Sequence, residues 1–566
     1  MLTYVPSVFS RLTLIASACL LGACQSPAPL DPVIGDTGQP LSATAQATDV
    51  RYYELDLDID PEHQSIRGSG TSVFELVADS ASVELKLDSR FHIDRIEVDG
   101  KVASYQRDAG VLTIALPALY KTGQQVRVQV YYQGKPHIAL KAPWSGGFVW
   151  ANTPTGEPWI ATAVQGEGCD LFWPCKDHFA DKADSMRIKL RVPKGLSAAT
   201  NGVLQHQRSL ADGRTEFDWL LSVPASDYNI ALNIGPYVLE RFSFNGINGS
   251  NIPVEFWALP QNKEAARKLW LDDLQQQIHW YEKTLGPYPW GSEKIGFVET
   301  PHLGMEHQTI NAYGKGYGLD PNGYDWLAQH ELAHEWFGNL LTHKTLNHAW
   351  LHEGFGLYMQ PAYALDKLGE AAYRYQMYKA YLGLKNCDPV VRSGIVTSEQ
   401  AFNSDIYGKG GWVLHTLRAL IGDKLFWQAT RELLYGTADT AKLVYPIAPS
   451  YKTTEDFIAI VNRLTGKDYQ WMFDVYLYQA ELPELVQQQQ EGKIRLHWQV
   501  PGNLPFPMPV PAQVNGQMQW LDFSQGDVWL PADNQLLLDP QMLILRQLPL
   551  IGRCEKNSEN KTGNHS

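Results

Sequence analysis

The segment His330-Glu331-Leu332-Ala333-His334 sets two imidazoles four residues apart. On a helix that spacing puts both rings on one face, where they can reach a single cation. Glu331 follows the first of them and is placed to take a proton from water at that cation. Nineteen residues past His334 comes Glu353, within Trp350-Leu351-His352-Glu353-Gly354-Phe355. Two antiparallel helices joined by a loop would bring this carboxylate back to the histidines, giving three protein ligands and a fourth position for water. An open site of that kind is catalytic, whereas a structural zinc would want four protein ligands, usually with cysteine, and no cysteine lies nearby in the sequence. The expectation is one Zn2+ per chain, held by His330, His334 and Glu353, and metal-assisted hydrolysis.

The run from His330 to Asn339, HELAHEWFGN, together with LHEGF around Glu353, resembles the aminopeptidase N family of zinc metallopeptidases, the gluzincin aminopeptidases. The similarity extends over nearly all of the chain beyond its leader. It implies that His330, His334 and Glu353 are the zinc ligands and Glu331 the general base. It further implies that Tyr407, in Ile406-Tyr407-Gly408-Lys409-Gly410-Gly411, stabilises the tetrahedral oxyanion, a role suited to a phenol that donates where negative charge develops. Leu303-Gly304-Met305-Glu306-His307 resembles the family's GxMEN motif, which assigns Glu306 to the substrate's α-amine and Gly304 and Met305 to the substrate edge. Here Leu303 takes the first glycine position and His307 replaces asparagine. Gln165, ten residues before Cys175 in Trp173-Pro174-Cys175-Lys176-Asp177, matches a second amine contact that would offer its carbonyl oxygen, although Asp170 stands where many relatives carry arginine.

The implied activity is removal of N-terminal residues from peptides with a free amino end. The alternatives are an epoxide or other hydrolase on the same scaffold, an enzyme cutting internal peptide bonds, and a non-catalytic peptide-binding surface lipoprotein. The acidic residue that the epoxide-hydrolysing branch uses is not reproduced, Glu399 standing at the matching place. His302, His343, His348 and His352 crowd the motif region without a shared spacing with carboxylates and receive no role.

The elements that must position these residues fall into three regions. Over residues 48–241 apolar residues alternate, as in Tyr53, Leu55, Leu57, Ile59 and in Val126, Val128, Val130, which predicts a large antiparallel β domain. Over 242–477 helical spacing dominates, beginning with Leu271, Leu274, Ile278, Tyr281 and Leu285; by resemblance this is a thermolysin-like zinc catalytic domain. Over 478–550 alternation returns in Ile494, Leu496, Trp498 and Val500, with Asn515-Gly516 as a hairpin turn, and a small β-sandwich is expected. The fold class is thus multidomain α+β, without the C-terminal helical domain that larger relatives add.

The two ends carry a different composition. An apolar run from Leu12 to Ala23 behind Arg11 reads as an export signal over residues 1–23, and Leu21-Gly22-Ala23-Cys24 resembles a bacterial lipobox with Cys24 as the lipidated residue. Residues 24–47, rich in Pro, Ala, Thr and Gly, read as a flexible tether, and 551–566 as a disordered tail. Together these point to an exported lipoprotein held on the cell envelope by its lipid, facing the periplasm, with Gln25 and Ser26 favouring the outer membrane. An exported chain can oxidise its cysteines; three pairings of Cys169, Cys175, Cys387 and Cys554 are open, and free buried thiols are an equal alternative. With 47 Lys and Arg against 61 Asp and Glu the net charge is −14, without basic clusters, which excludes a nucleic-acid backbone as partner.

Overall fold

The computed structural model describes residues 37–551 and Cys554. The export signal and Cys24 lie outside the described residues. Of the expected tether, residues 37–47 do not hang free. Thr37 is buried, its hydroxyl donating to Asp177 at 2.8 Å, and Ser42 caps a short helix over Ala43–Gln46. The polar composition misled because these residues are held by caps and by contacts to distant residues, not by an apolar stripe.

The N-terminal region is built on an eight-stranded sheet. At its centre Thr48–Asp60 runs antiparallel to Ser65–Leu76, with Leu55 opposite Gly70. On its other side the same strand pairs in parallel with Ser185–Val192, Leu55 opposite Ile188. The expected all-antiparallel domain is therefore corrected at this ladder. A parallel partner needs a long crossover, and over a hundred residues of intervening strands supply it. A second sheet includes Gly147–Asn152 and Pro158–Ala163, and its end leads directly to Gln165.

The next sheet has five strands: β1 Val238–Asn245, β2 Asn251–Ala258, β3 Ile295–Glu299, β4 Gly304–Met305 and β5 Asn311–Tyr313. Its order is β1-β2-β3-β5-β4, so β4 is an edge strand. β1 runs across residue 241, where the β domain was expected to end.

The helix expected from Leu271 onward forms with one change of phase. Residues Trp270–Leu274 make a π-helical turn between Lys263–Leu269 and Gln275–Thr284. The wider turn rotates the face, so Trp270 is 2% exposed and Leu271, expected inside, is 50% exposed. Three further helices carry chemistry: α1 Trp326–His334, α2 Trp350–Leu368 and α3 Asp405–Tyr435, the last kinked at Gly422.

Toward the C-terminus two three-stranded sheets share a core of Leu485, Ile494, Leu496, Val510, Ala512 and Leu521. Asn515 and Gly516, both at positive φ, form the two-residue turn between Val510–Val514 and Gln517–Leu521. The cysteines pair as Cys169–Cys175 and Cys387–Cys554. The second bridge corrects the disordered-tail expectation at Cys554, which is tied back to the catalytic region.

Candidate active site

Asp325 caps α1 by accepting from the Ala328 N–H at 3.0 Å, which starts the helix one turn before His330. His334 Nδ1 lies 2.8 Å from the Phe337 carbonyl oxygen, a contact that needs an N–H, so the ring's lone pair sits on Nε2. That Nε2 is 3.2 Å from His330 Nε2. Glu353, one turn into α2, brings Oε2 to 3.4 Å from His334 Nε2 and 3.8 Å from His330 Nε2. This oxygen is buried and has no hydrogen-bond partner. Two imidazole nitrogens and a carboxylate oxygen thus converge on one point, the donor set and number that zinc takes in a catalytic site. All four described cysteines are in disulfides, so none of them can supply a thiolate to close the site.

Room for the two rings comes from Gly356, one turn after Glu353. A Cβ there would lie 3.0 Å from His334 Cε1 and 3.4 Å from His330 Cε1. Sequence reasoning assigned this glycine nothing, although its position three residues from Glu353 on the same helical face was a readable signal.

Tyr407 stands at the start of α3, its ring centre 6.4 Å from that of His330 and its phenol in the neighbourhood of Glu353. The glycines beside it explain how it gets there. A Cβ on Gly410 would sit 3.0 Å from the Gly354 Cα, so a side chain at the crossing would force α2 and α3 apart by a few tenths of an ångström. Gly410→Ala is therefore expected to push the helices apart and draw Tyr407 away from Glu353. The expected result is a fall of at least about tenfold in kcat with a stability loss of about 1–3 kcal/mol, zinc content being retained. Steady-state kinetics with metal analysis and thermal unfolding would check it.

Glu306 follows the edge strand β4 and is 3% exposed. Its Oε1 accepts from Gln165 Nε2 at 2.6 Å and from the Tyr228 hydroxyl at 3.2 Å. The structure therefore brings Gln165 to Glu306 as expected, but turns the amide nitrogen toward it. Gln165 is held in place by the Cys169–Cys175 loop behind it and by the next residue, whose carbonyl accepts from the Thr37 N–H and the Ser398 hydroxyl. Gly304 lies directly against Glu331: a Cβ there would meet its Oε1 at 2.3 Å. Met305 is buried and pairs with Ala312 of β5.

Four residues at the site were not found from sequence. Tyr228 reaches Glu306 from the N-terminal region. Glu335, next to His334, is fully buried and accepts from the Tyr288 hydroxyl at 3.0 Å, Asn311 Nδ2 at 3.0 Å, the Thr309 N–H at 3.2 Å and Asn339 Nδ2 at 2.9 Å. Asn339 and Asn229 both donate to the Glu306 carbonyl, at 3.0 and 3.1 Å. This network ties α1 to the segment that follows β4, fixing Glu306 against His330, His334 and Glu353. Of the unassigned histidines, His352 accepts the His343 backbone N–H at 3.0 Å, a structural contact. His307 is fully buried beside Glu306. Glu399 is exposed on a short helix, Ser398–Ala401.

Electrostatics at this point are unusual. Burial, with Glu306 and Glu353 beside it, pushes the Glu331 carboxyl well above the usual carboxylate range. Burial likewise lifts Glu353 to about 7 and lowers His330 to about 3. Burial opposes charge on His334 as well, yet Glu353 and Glu306 hold its pKa above the ordinary value. Three carboxylates crowded out of water call for positive charge. A divalent metal and one ammonium group would balance them, 2 + 1 against 3.

Two family models match the chain, one on each side of residue 241. Residues 50–228 match the Peptidase M1 N-terminal domain and residues 271–476 the Peptidase family M1 domain. Leucine aminopeptidase 2 of Vanderwaltozyma polyspora is 24% identical over 66% of this chain and 58% of its own length. Aminopeptidase B of Rattus norvegicus is 27% identical over 47% of this chain and 41% of its own. This chain thus spans about half the length of these relatives. The M1 zinc metallopeptidase of Deinococcus radiodurans superposes with a TM-score of 0.62 at 22% identity, covering 77% of this chain and 94% of that one. With both domains matched in order, and with His330, His334 and Glu353 lying within the second of them, the chain belongs to peptidase family M1.

Proposed function

We propose that this chain is a zinc-dependent aminopeptidase that removes residues one at a time from the amino end of peptides. One observation carries the reading: the buried Glu306 carboxylate lies beside Glu331 and His334, their ligand atoms within 4.8 Å of one another, and it is held by two neutral donors. Its charge is left for a substrate ammonium, which forms a strong charge-assisted hydrogen bond. An α-amine bound at Glu306 sets the first peptide bond, and no later one, over the metal ligands. The names of the relatives, leucine aminopeptidase 2 and aminopeptidase B, support the reading, as does a Deinococcus radiodurans M1 structure bound to a Tyr-Ser-Ala substrate.

Zinc held by His330, His334 and Glu353 would supply a Lewis acid that acidifies water and polarises the scissile carbonyl. Glu331 accepts the proton of the attacking water on its carboxylate and delivers it to the leaving amine. Tyr407 is placed to donate its O–H to the oxyanion as the carbonyl becomes tetrahedral. Gly304 and Met305, on the edge strand β4, offer backbone groups to an extended substrate, as a sheet edge accepts an added strand.

Dialysis against a chelator is expected to abolish hydrolysis of aminoacyl arylamides, and one equivalent of zinc per chain to restore it. A zinc-loaded protein that cleaves none of a broad panel would overturn the reading. We further read Cys24 as the lipid-modified residue that tethers the enzyme to the envelope, facing the periplasm at the outer membrane. Fatty-acid labelling of the full chain should disappear in Cys24→Ser; persistent labelling would place the lipid elsewhere.

A further inference from the structure

Between Asp108 and Glu157 the chain has no acidic residue, although 61 of its 566 residues are Asp or Glu. Inside this stretch the loop 137–148 projects from the N-terminal region as a built structure. Its base is closed by the Phe148 N–H donating to the His137 carbonyl at 2.8 Å and the Ala139 N–H to the Phe148 carbonyl at 3.0 Å. Its tip is closed by the Lys141 N–H donating to Ser145 Oγ at 2.6 Å and the Ser145 N–H to the Lys141 carbonyl at 3.0 Å. So constrained, the loop holds Leu140 at 89%, Trp144 at 66% and Ile138 at 49% exposure. Lys141 Nζ lies 5.0 Å from the centre of the Trp144 ring.

An ordered loop that presents a leucine and a tryptophan to water exposes apolar area that a partner would bury. The chemistry at its tip is that of a membrane interface: an amphipathic indole suited to the headgroup level, an aliphatic side chain able to enter the acyl boundary, and one lysine, Lys141, for anionic headgroups. Residues 109–156 carry no carboxylate of their own, and the Glu167 carboxylate that touches the loop is engaged by the Gly146 N–H, which reduces repulsion from an anionic surface in a chain whose net charge is −14.

The loop is also fastened next to the first described residue. The Gly146 N–H donates to Glu167 Oε2 at 2.7 Å, and the Thr37 N–H donates to the carbonyl of the neighbouring Gly166 at 3.3 Å. The first described residue and the apolar loop are thus fastened to adjacent positions of one segment. Cys24 precedes Thr37 by thirteen residues, a reach of at most about 45 Å.

We propose that the loop 137–148 docks on the surface of a phospholipid bilayer, with Leu140 and Trp144 inserted and Lys141 against anionic headgroups. It orients the enzyme on the membrane to which Cys24 ties it. The placement rests on the lipid-anchor reading, but the loop's own affinity does not need the lipid, so the two can fail separately.

The test uses the full chain carrying Cys24→Ser, with and without Leu140→Asp and Trp144→Asp, and vesicles of phosphatidylethanolamine and phosphatidylglycerol. Expected is at least about a tenfold loss of vesicle partition on adding the two Asp substitutions. Vesicle-induced amide protection over residues 138–146 should be lost with it, and hydrolysis of a small aminoacyl arylamide unchanged. Partition that ignores the substitutions, or no protection of 138–146 on vesicles, overturns the proposal. So does a rise in KM for long peptides with vesicle partition intact, which would make the loop a substrate contact. Whether the wild-type chain is lipidated at Cys24 is read independently by labelling, and an unlipidated wild type would sink the anchor while leaving the vesicle comparison to decide the loop.

Discussion

Glu331→Gln is expected to lower kcat by roughly 10²–10⁴-fold while leaving zinc content at one per chain and KM within a few-fold. The substitution preserves volume, which matters because Glu331 Oε1 fills the space beside Gly304, where even a Cβ would come within 2.3 Å. It touches none of His330, His334 and Glu353, so metal affinity should survive. What it removes is the one group here able to take a proton from the attacking water, and the loss belongs in kcat. Activity within tenfold of wild type, with full zinc occupancy, would remove Glu331 from the base role.

Glu306→Gln should act differently. A buried charged hydrogen bond that loses one partner typically costs about 2–5 kcal/mol, so kcat/KM on free-amine substrates should fall by roughly 30- to several-thousand-fold. The new amide can still meet Gln165 and Tyr228, so the fold should hold. It cannot balance an ammonium group. The signature is selective: hydrolysis of substrates with a free amine should collapse toward the level seen with a blocked amine, narrowing the preference between them. Equal losses on both substrate types would show that Glu306 supports the site without reading the amine.

The candidate metal ligands were legible because their spacing is local. His330 and His334 share one helical face, and Glu353 follows on the next helix, so short-range periodicity was enough to bring them together. Tyr407 and Glu306 were found only through a family resemblance, since nothing in their neighbours' periodicity marks them. The contacts that complete the site are long-range: Gln165 meets Glu306 across 141 residues, and Tyr228 meets it across 78. Periodicity carries no information about such pairs. The same limit explains the fold-level corrections. A parallel ladder between Thr48–Asp60 and Ser185–Val192 has the same alternation as an antiparallel one. A single π turn at Trp270 shifts a helical face without changing composition. Thr37 docks through a hydroxyl to Asp177 that no apolar pattern announces. Glu335 is the clearest omission, a charged residue that sequence alone would place on a surface, and that is buried because four donors surround it.

The claim on which the account turns is that Glu306 reads a free amine, making the zinc site an aminopeptidase. It is tested most directly by giving the zinc-loaded enzyme one short peptide in two forms, with its α-amine free and with it acetylated, and following the products by mass spectrometry. The account predicts stepwise loss of single N-terminal residues from the free peptide and no cleavage of the acetylated one. Cleavage of the acetylated peptide at a comparable rate, or internal cuts in either form, would contradict it.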